Sequence, residues 1–170
     1  RLSNSVTGHG DRVPPTTAPR LQRLAELPGD SVELRVVVPR AEAARKLFGL
    51  VLFADQKGAG GLPILLRPET GTLRVGSTDA PFAIAALPES EDLELRIFVD
   101  KYLVEVFANG RQAVLAAHLG AMNNGGSRAL DAFTVGAPTT FKRLDIWKLR
   151  PTNEGFLQAR QHRAWEPKRR

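Results

Sequence analysis

Between Leu93 and Ala117 apolar and polar residues alternate so regularly, and turn residues interrupt them so sharply, that few folds besides an antiparallel sheet remain open. Leu93, Leu95, Ile97 and Val99 alternate with Glu94, Arg96, Phe98 and Asp100, the period of a strand with one buried face. Asn109-Gly110 is the preferred pair for a two-residue type I′ hairpin, because both central positions need positive φ. A tight turn there predicts Ala108 opposite Arg111 and Val106 opposite Ala113. One hairpin earlier, Asp100-Lys101 joins Val99 to Tyr102. That register sets Arg96 opposite Glu105, an opposite-charge cross-strand pair contributing roughly 0.2–1 kcal/mol. Leu95, Ile97 and Val99 then share a core face with Tyr102, Val104 and Val106.

The same period governs most of the chain. Val32, Leu34, Val36 and Val38 alternate with Ser31, Glu33, Arg35 and Val37. Further strand-like runs cover 47–53, 62–66, 72–75, 82–86, 130–135 and 141–149, with 111–118 as the last strand of the central meander. Turn signals separate them: Lys57-Gly58-Ala59-Gly60-Gly61, Pro68-Glu69-Thr70-Gly71 and Asn123-Asn124-Gly125-Gly126. Only Ala41–Lys46 has room for a helix, of a turn or two. Short strands without intervening helices predict an all-β fold, a two-sheet antiparallel β-sandwich of the concanavalin-like jelly-roll type, with nine or ten strands. Residues 1–27 read as an irregular lead-in and interdomain linker, in which Leu21, Leu24 and Leu27 recur every third residue and lay a helical or extended segment on a neighbouring surface. Residues 28–150 form the sandwich, and 151–170 a basic tail. Arg1 rather than Met opens the chain, as in a piece of a longer protein.

Charge and composition narrow the function classes. The net charge is +6, but it sits on the flanks: +2 over residues 1–27, +5 over 148–170 and −1 over the 120 residues between them. A nucleic-acid-binding fold carries its basic residues on the folded surface, interleaved with aromatics, so nucleic acid is not an expected partner. No apolar run approaches the roughly 20 residues of a membrane span. The chain has no cysteine, which excludes disulfides, thiolate metal sites and cysteine nucleophiles.

Candidate chemistry is sparse. Asp100 and Glu105 are two carboxylates of the kind a glycosidase uses. Asp100 has a structural role at a turn, however, and Glu105 faces an arginine, whereas a general acid needs an environment that keeps its proton. His9, His118 and His162 are too scattered to hold a metal. The glycines of 57–61 lack the Gly-Lys-Ser/Thr ending of a phosphate loop, and no serine sits in a Gly-x-Ser-x-Gly elbow. Trp147 and Tyr102 can stack on a sugar ring, although such aromatics more often serve a core or an interface. No catalytic residue, cofactor or metal is expected.

The run from Leu95 to Arg111, Leu-Arg-Ile-Phe-Val-Asp followed by Glu-Val-Phe-Ala-Asn-Gly-Arg, resembles the hallmark of the C-terminal β-sandwich module of glycoside hydrolase family 32. That family includes the invertases, levanases, inulinases and sucrose-6-phosphate hydrolases. Weaker likenesses lie at Gly29–Leu34, Phe48–Leu52, Arg67–Leu73 and Leu144–Trp147, and Pro19–Leu27 is similar to the family's interdomain linker. The family's motif residues are matched here by Arg96, Phe98, Asp100, Glu105, Phe107, Asn109 and Gly110, which the resemblance implies to be structural.

The resemblance also implies a division of labour. The family's catalytic carboxylates lie in Trp-x-Asn-Asp-Pro, Arg-Asp-Pro and Glu-Cys motifs of an N-terminal five-bladed propeller, and none of these motifs occurs in this chain. The expected role is therefore a non-catalytic module that stabilises and orients a catalytic propeller of the same parent chain acting on fructosyl bonds. Two other readings stay open: a carbohydrate-binding module, or an interaction domain that docks another protein or forms a homodimer. The segment after Arg111 departs from the family pattern.

Overall fold

The computed structural model describes residues 16–55, 60–101, 103–117 and 127–150. Eleven strands among these residues form two antiparallel sheets, joined by a helical turn (α1, Arg40–Ala43) and a 3-10 turn at Ile84–Ala86. The six-stranded sheet comprises β1 (Thr16–Glu26), β3 (Phe48–Ala54), β4 (Leu62–Arg67), β5 (Thr72–Val75), β6 (Thr78–Pro81) and β10 (Ala129–Gly136), in the order β1-β10-β3-β4-β5-β6. The five-stranded sheet comprises β2 (Ser31–Val38), β7 (Leu93–Asp100), β8 (Leu103–Ala108), β9 (Gln112–Ala117) and β11 (Arg143–Lys148), in the order β11-β2-β7-β8-β9. The expected all-β two-sheet sandwich is what these residues build.

Alternation decides which face of each strand meets the other sheet. Val32, Leu34, Val36 and Val38 of β2, and Leu93, Leu95, Ile97 and Val99 of β7, are all buried. They meet Leu50, Leu52, Ile64, Leu66, Leu73 and Leu130 of the facing sheet in one continuous core. Each such aliphatic side chain contributes roughly 1.5–3 kcal/mol on full burial, so the period-two pattern by itself selects the sandwich. Gly49 of β3 lies where the backbone of β4 comes closest: an added Cβ would stand 2.0 Å from the Ile64 carbonyl oxygen. The two edges of the sandwich where β6 and β9 run are tied by Gln112, whose side-chain amide donates to the Pro81 carbonyl at 2.8 Å.

Several expectations shift. The lead-in and linker contain, from Thr16 onward, edge strand β1, which pairs along β10 with two register shifts. Only Leu27 of the three leucines is fully buried; Leu24 packs on the core and Leu21 is exposed. The run 82–86 is not a strand. A reversal at Gly76, with φ +59°, returns the chain at once as β6, and the alanine-rich segment closes into a 3-10 turn.

Both central hairpins also differ in register. Asp100 stays in its strand because β2 holds it on the other side, through Ser31 opposite it and through the Lys101 amide donating to the Asp30 carbonyl at 2.8 Å. Asp100 therefore pairs with Leu103, and Lys101 takes the left-handed turn position with φ +54°. The two-residue displacement preserves every face, but Arg96 now lies opposite Phe107 and Glu105 opposite Phe98, so the predicted Arg96–Glu105 pair does not form. At the second hairpin Asn109 and Gly110 have φ of +48° and +63°, and the Arg111 amide donates to the Ala108 carbonyl at 2.9 Å. Yet Ala108 pairs with Gln112 and Val106 with Val114. Arg111 is one extra loop residue, and a shift of one exchanges the two faces of a strand. Val114 and Ala116 are consequently buried, while Leu115 is 55% exposed.

Candidate functional site

The register of the five-stranded sheet maps its outer face residue by residue. One row across the strands reads Trp147, Glu33, Phe98, Glu105, Leu115; the next reads Asp145, Arg35, Arg96, Phe107, Ala113. The face divides accordingly. Toward β11 and β2 it is charged, and toward β8 and β9 it is mainly apolar around a single carboxylate, with Leu103 (45% exposed) next to Ala117 and Leu115 next to Glu105.

The charged half is internally paired. Arg96 Nε and Nη2 both donate to Glu33 Oε1, at 3.2 and 2.5 Å. Arg35 Nε and Nη2 both donate to Glu94 Oε2, at 2.8 and 2.5 Å. Arg143 pairs with the buried Asp145. The Arg96 guanidinium also lies 5.2 Å from the Phe98 ring centroid, within cation–π range, and Phe98 meets Phe107 edge-on with centroids 5.8 Å apart. Glu33, Arg35, Glu94, Arg96, the half-buried Trp147 and the end of β11 line an open hollow of about 720 Å³.

Asn109 works as a clamp. Its side-chain amide donates to Glu91 Oε1 at 2.7 Å and to the Asp92 carbonyl at 2.8 Å, and its Oδ1 accepts from the Glu94 amide at 3.1 Å. Arg111 reaches the same Glu91 carboxylate at 2.5 and 2.7 Å. Asp92 in turn accepts from Lys142 Nζ at 2.7 Å and from the Arg40 amide at 3.2 Å. The arginine first and Asn109 second hold the Glu91 carboxyl below the ordinary carboxylate range. Lys142, and then the Arg40 amide, do the same for Asp92. This network binds the hairpin, the 88–92 loop, α1 and the approach to β11 into one end of the sandwich.

The two carboxylates named for glycosidase chemistry, Asp100 and Glu105, meet different neighbours. Asp100 accepts from the Ser31 hydroxyl at 3.3 Å. Glu105 is exposed, between Phe98 and Leu115. Neither lines the hollow. Of the sequence-named residues, the fold brings Arg96, Phe98 and Trp147 to the charged half of one face, and Glu105 and Phe107 to its other half. Asn109 and Gly110 stand at the end of the hairpin. Tyr102, the three histidines and the tail 151–170 lie outside the described residues. Sequence reasoning missed Glu33, Arg35 and Glu94; their signal was the regular Glu/Arg alternation on the polar positions of β2 and β7.

Comparisons with known proteins follow the same outline. The model of the family described as Glycosyl hydrolases family 32 C terminal matches residues 4–148. No curated protein matches the chain. Among solved structures the chain is similar to an exo-inulinase from Aspergillus awamori, with 16% identity and a TM-score of 0.58 over 89% of this chain and 29% of that one. It is similar to the carbohydrate binding module CBM66 from Bacillus subtilis, with 8% identity and a TM-score of 0.57 over 84% and 92%. A third likeness is to fructan 1-exohydrolase IIa from Cichorium intybus, with 10% identity and a TM-score of 0.54 over 88% and 36%. The chain thus spans about a third of each of the two enzymes, and nearly the whole of the binding module. At these identities the likeness is one of fold.

Proposed function

The chain belongs to the family of glycosyl hydrolases family 32 C-terminal domains, and from that membership we propose that it is the non-catalytic β-sandwich module of a fructosidase-type glycoside hydrolase. In this reading the module stabilises and orients a catalytic propeller of the same parent chain, which hydrolyses fructosyl bonds of the sucrose, inulin or levan type. The observation that carries it is the family match over the sandwich together with the state of its carboxylates. Asp79, Glu91 and Asp92 are held below the ordinary carboxylate range by hydrogen bonds from Arg74, Arg111 and Lys142 respectively, away from the proton-holding form an acid catalyst needs.

The apolar half of the outer face, with Leu103 and Leu115, is the surface on which this reading seats the catalytic domain, because exposed leucines at adjacent strands are an interaction surface in waiting. The test is deletion of residues 16–150 from the parent polypeptide. The expected result is a catalytic domain that loses thermal stability and soluble yield. An unchanged unfolding temperature and unchanged fructoside turnover would count against the accessory role.

A second reading, carbohydrate binding, is supported by the position of Trp147 beside paired carboxylates and guanidinium groups, and by the fold likeness to the CBM66 module.

A further inference from the structure

We propose that the hollow on the charged half of the outer sheet face is a binding site for a neutral glycan, with Trp147 as the stacking surface and the pairs Glu33–Arg96 and Arg35–Glu94 as the polar wall. The inference rests on the glycosidase-module reading only for its choice of first probes, the fructans.

The argument starts from how the two ion pairs are made. Each arginine spends Nε and Nη2 on a single carboxylate oxygen: Arg96 on Glu33 Oε1, and Arg35 on Glu94 Oε2. Glu33 Oε2, Glu94 Oε1 and both Nη1 groups enter no other hydrogen bond of the described residues. Each pair thus presents one charge-strengthened acceptor beside one charge-strengthened donor. Vicinal hydroxyls of a sugar have the matching character, since one hydroxyl can donate to the carboxylate while its neighbour accepts from the guanidinium. Because the partner of each group already fixes its position, little side-chain freedom is lost on binding.

Trp147 supplies the apolar contact. It lies directly across from Glu33 in the strand register, so a ring stacked on the indole would place its edge hydroxyls at that carboxylate. A half-buried aromatic beside convergent polar groups is the usual makeup of a small-molecule site. The pairs cancel their own charge, which selects an uncharged ligand. Lys148 and Arg150 at the rim make no ion pair with a described residue, and an anionic ligand held by them is the rival outcome.

The test uses the 170-residue chain carrying Trp165→Phe, which leaves Trp147 as its sole tryptophan. Indole fluorescence and calorimetry are followed while inulin, levan, a panel of other neutral glycans and polygalacturonate are added. The expected result is saturable binding of at least one neutral glycan with a change in Trp147 emission. Trp147→Ala and Glu33→Gln should each weaken that binding at least tenfold, and Asp79→Asn on the other sheet should leave it unchanged. Glu33→Gln keeps the residue's shape, so the site stays testable should the tryptophan variant fold poorly. Absence of binding to every neutral glycan, binding to polygalacturonate alone, or binding indifferent to both variants would overturn the proposal. A neutral glycan other than a fructan, bound through Trp147, would uphold the site and count against the fructosidase reading; the deletion experiment addresses that reading separately.

Discussion

The five-stranded sheet has two faces that follow opposite rules, although the same strands make both. The centre of its inner face is aliphatic, from Leu34 and Ile97 to Val106, and fully buried. Its outer face mixes Glu33, Arg35, Glu94 and Arg96 with Phe98, Phe107 and Trp147. The inner face is interchangeable in kind: any sequence with β-branched or leucine side chains at those positions would close a similar sandwich. The outer face has specific partners at specific atoms. The fold is thus encoded on one side of each strand and the individuality of the molecule on the other.

The contrast can be broken most forcefully from inside. Ile97→Ala removes a fully buried side chain and should lower unfolding free energy by about 2–5 kcal/mol in denaturant titration. A loss below about 1 kcal/mol would mean that the core does not hold the sheets together as described. Asn109→Ala comes next. It removes three side-chain hydrogen bonds from the clamp and puts a β-carbon without a local hydrogen bond at positive φ, for an expected cost of about 1–3 kcal/mol. Asn109→Asp, which keeps only the acceptor half of the clamp next to Glu91, should be no better than alanine.

On the outer face, Arg96→Ala should cost no more than about 1 kcal/mol, because the Glu33 pair is solvent-exposed on the arginine side and screened. A loss comparable with Ile97→Ala would erase the distinction between the faces. The smallest effect is the pH response of the clamp. Glu91 and Asp92 are held below their ordinary values. Carboxylates so depressed contribute stability above the unfolded-chain values near pH 4, and that contribution fades as pH falls through the folded values. The denaturation midpoint should therefore drop below about pH 4, and Asp92→Asn should flatten that acid limb. An acid limb of unchanged steepness in the variant would remove the clamp from the account.

These contrasts also explain what could be read from the sequence. The sandwich, the burial of β2 and β7 and the positive-φ turn at Asn109-Gly110 were legible because alternation and turn chemistry are local. The registers were not. Asp100 belongs to a strand because Ser31 and Asp30 hold it from β2, a contact some seventy residues away. The extra residue Arg111 reverses β9 because it answers Glu91, not the hairpin alone. Strand β1 was hidden by prolines at 14, 15 and 19, which an edge strand tolerates and a central one does not. The Glu33–Arg96 and Arg35–Glu94 pairs share the cause: each partner is defined by which strand lies alongside, and alternation within one strand does not carry that information.

The central claim is that this sandwich supports a sugar-cleaving partner and cleaves nothing itself. It is tested most directly by incubating the purified 170-residue chain with sucrose, inulin and levan and measuring fructose release. The account predicts release indistinguishable from buffer at every pH tried. Steady turnover by the chain that disappears in Asp100→Asn or Glu105→Gln would contradict it and move the chemistry onto this sheet.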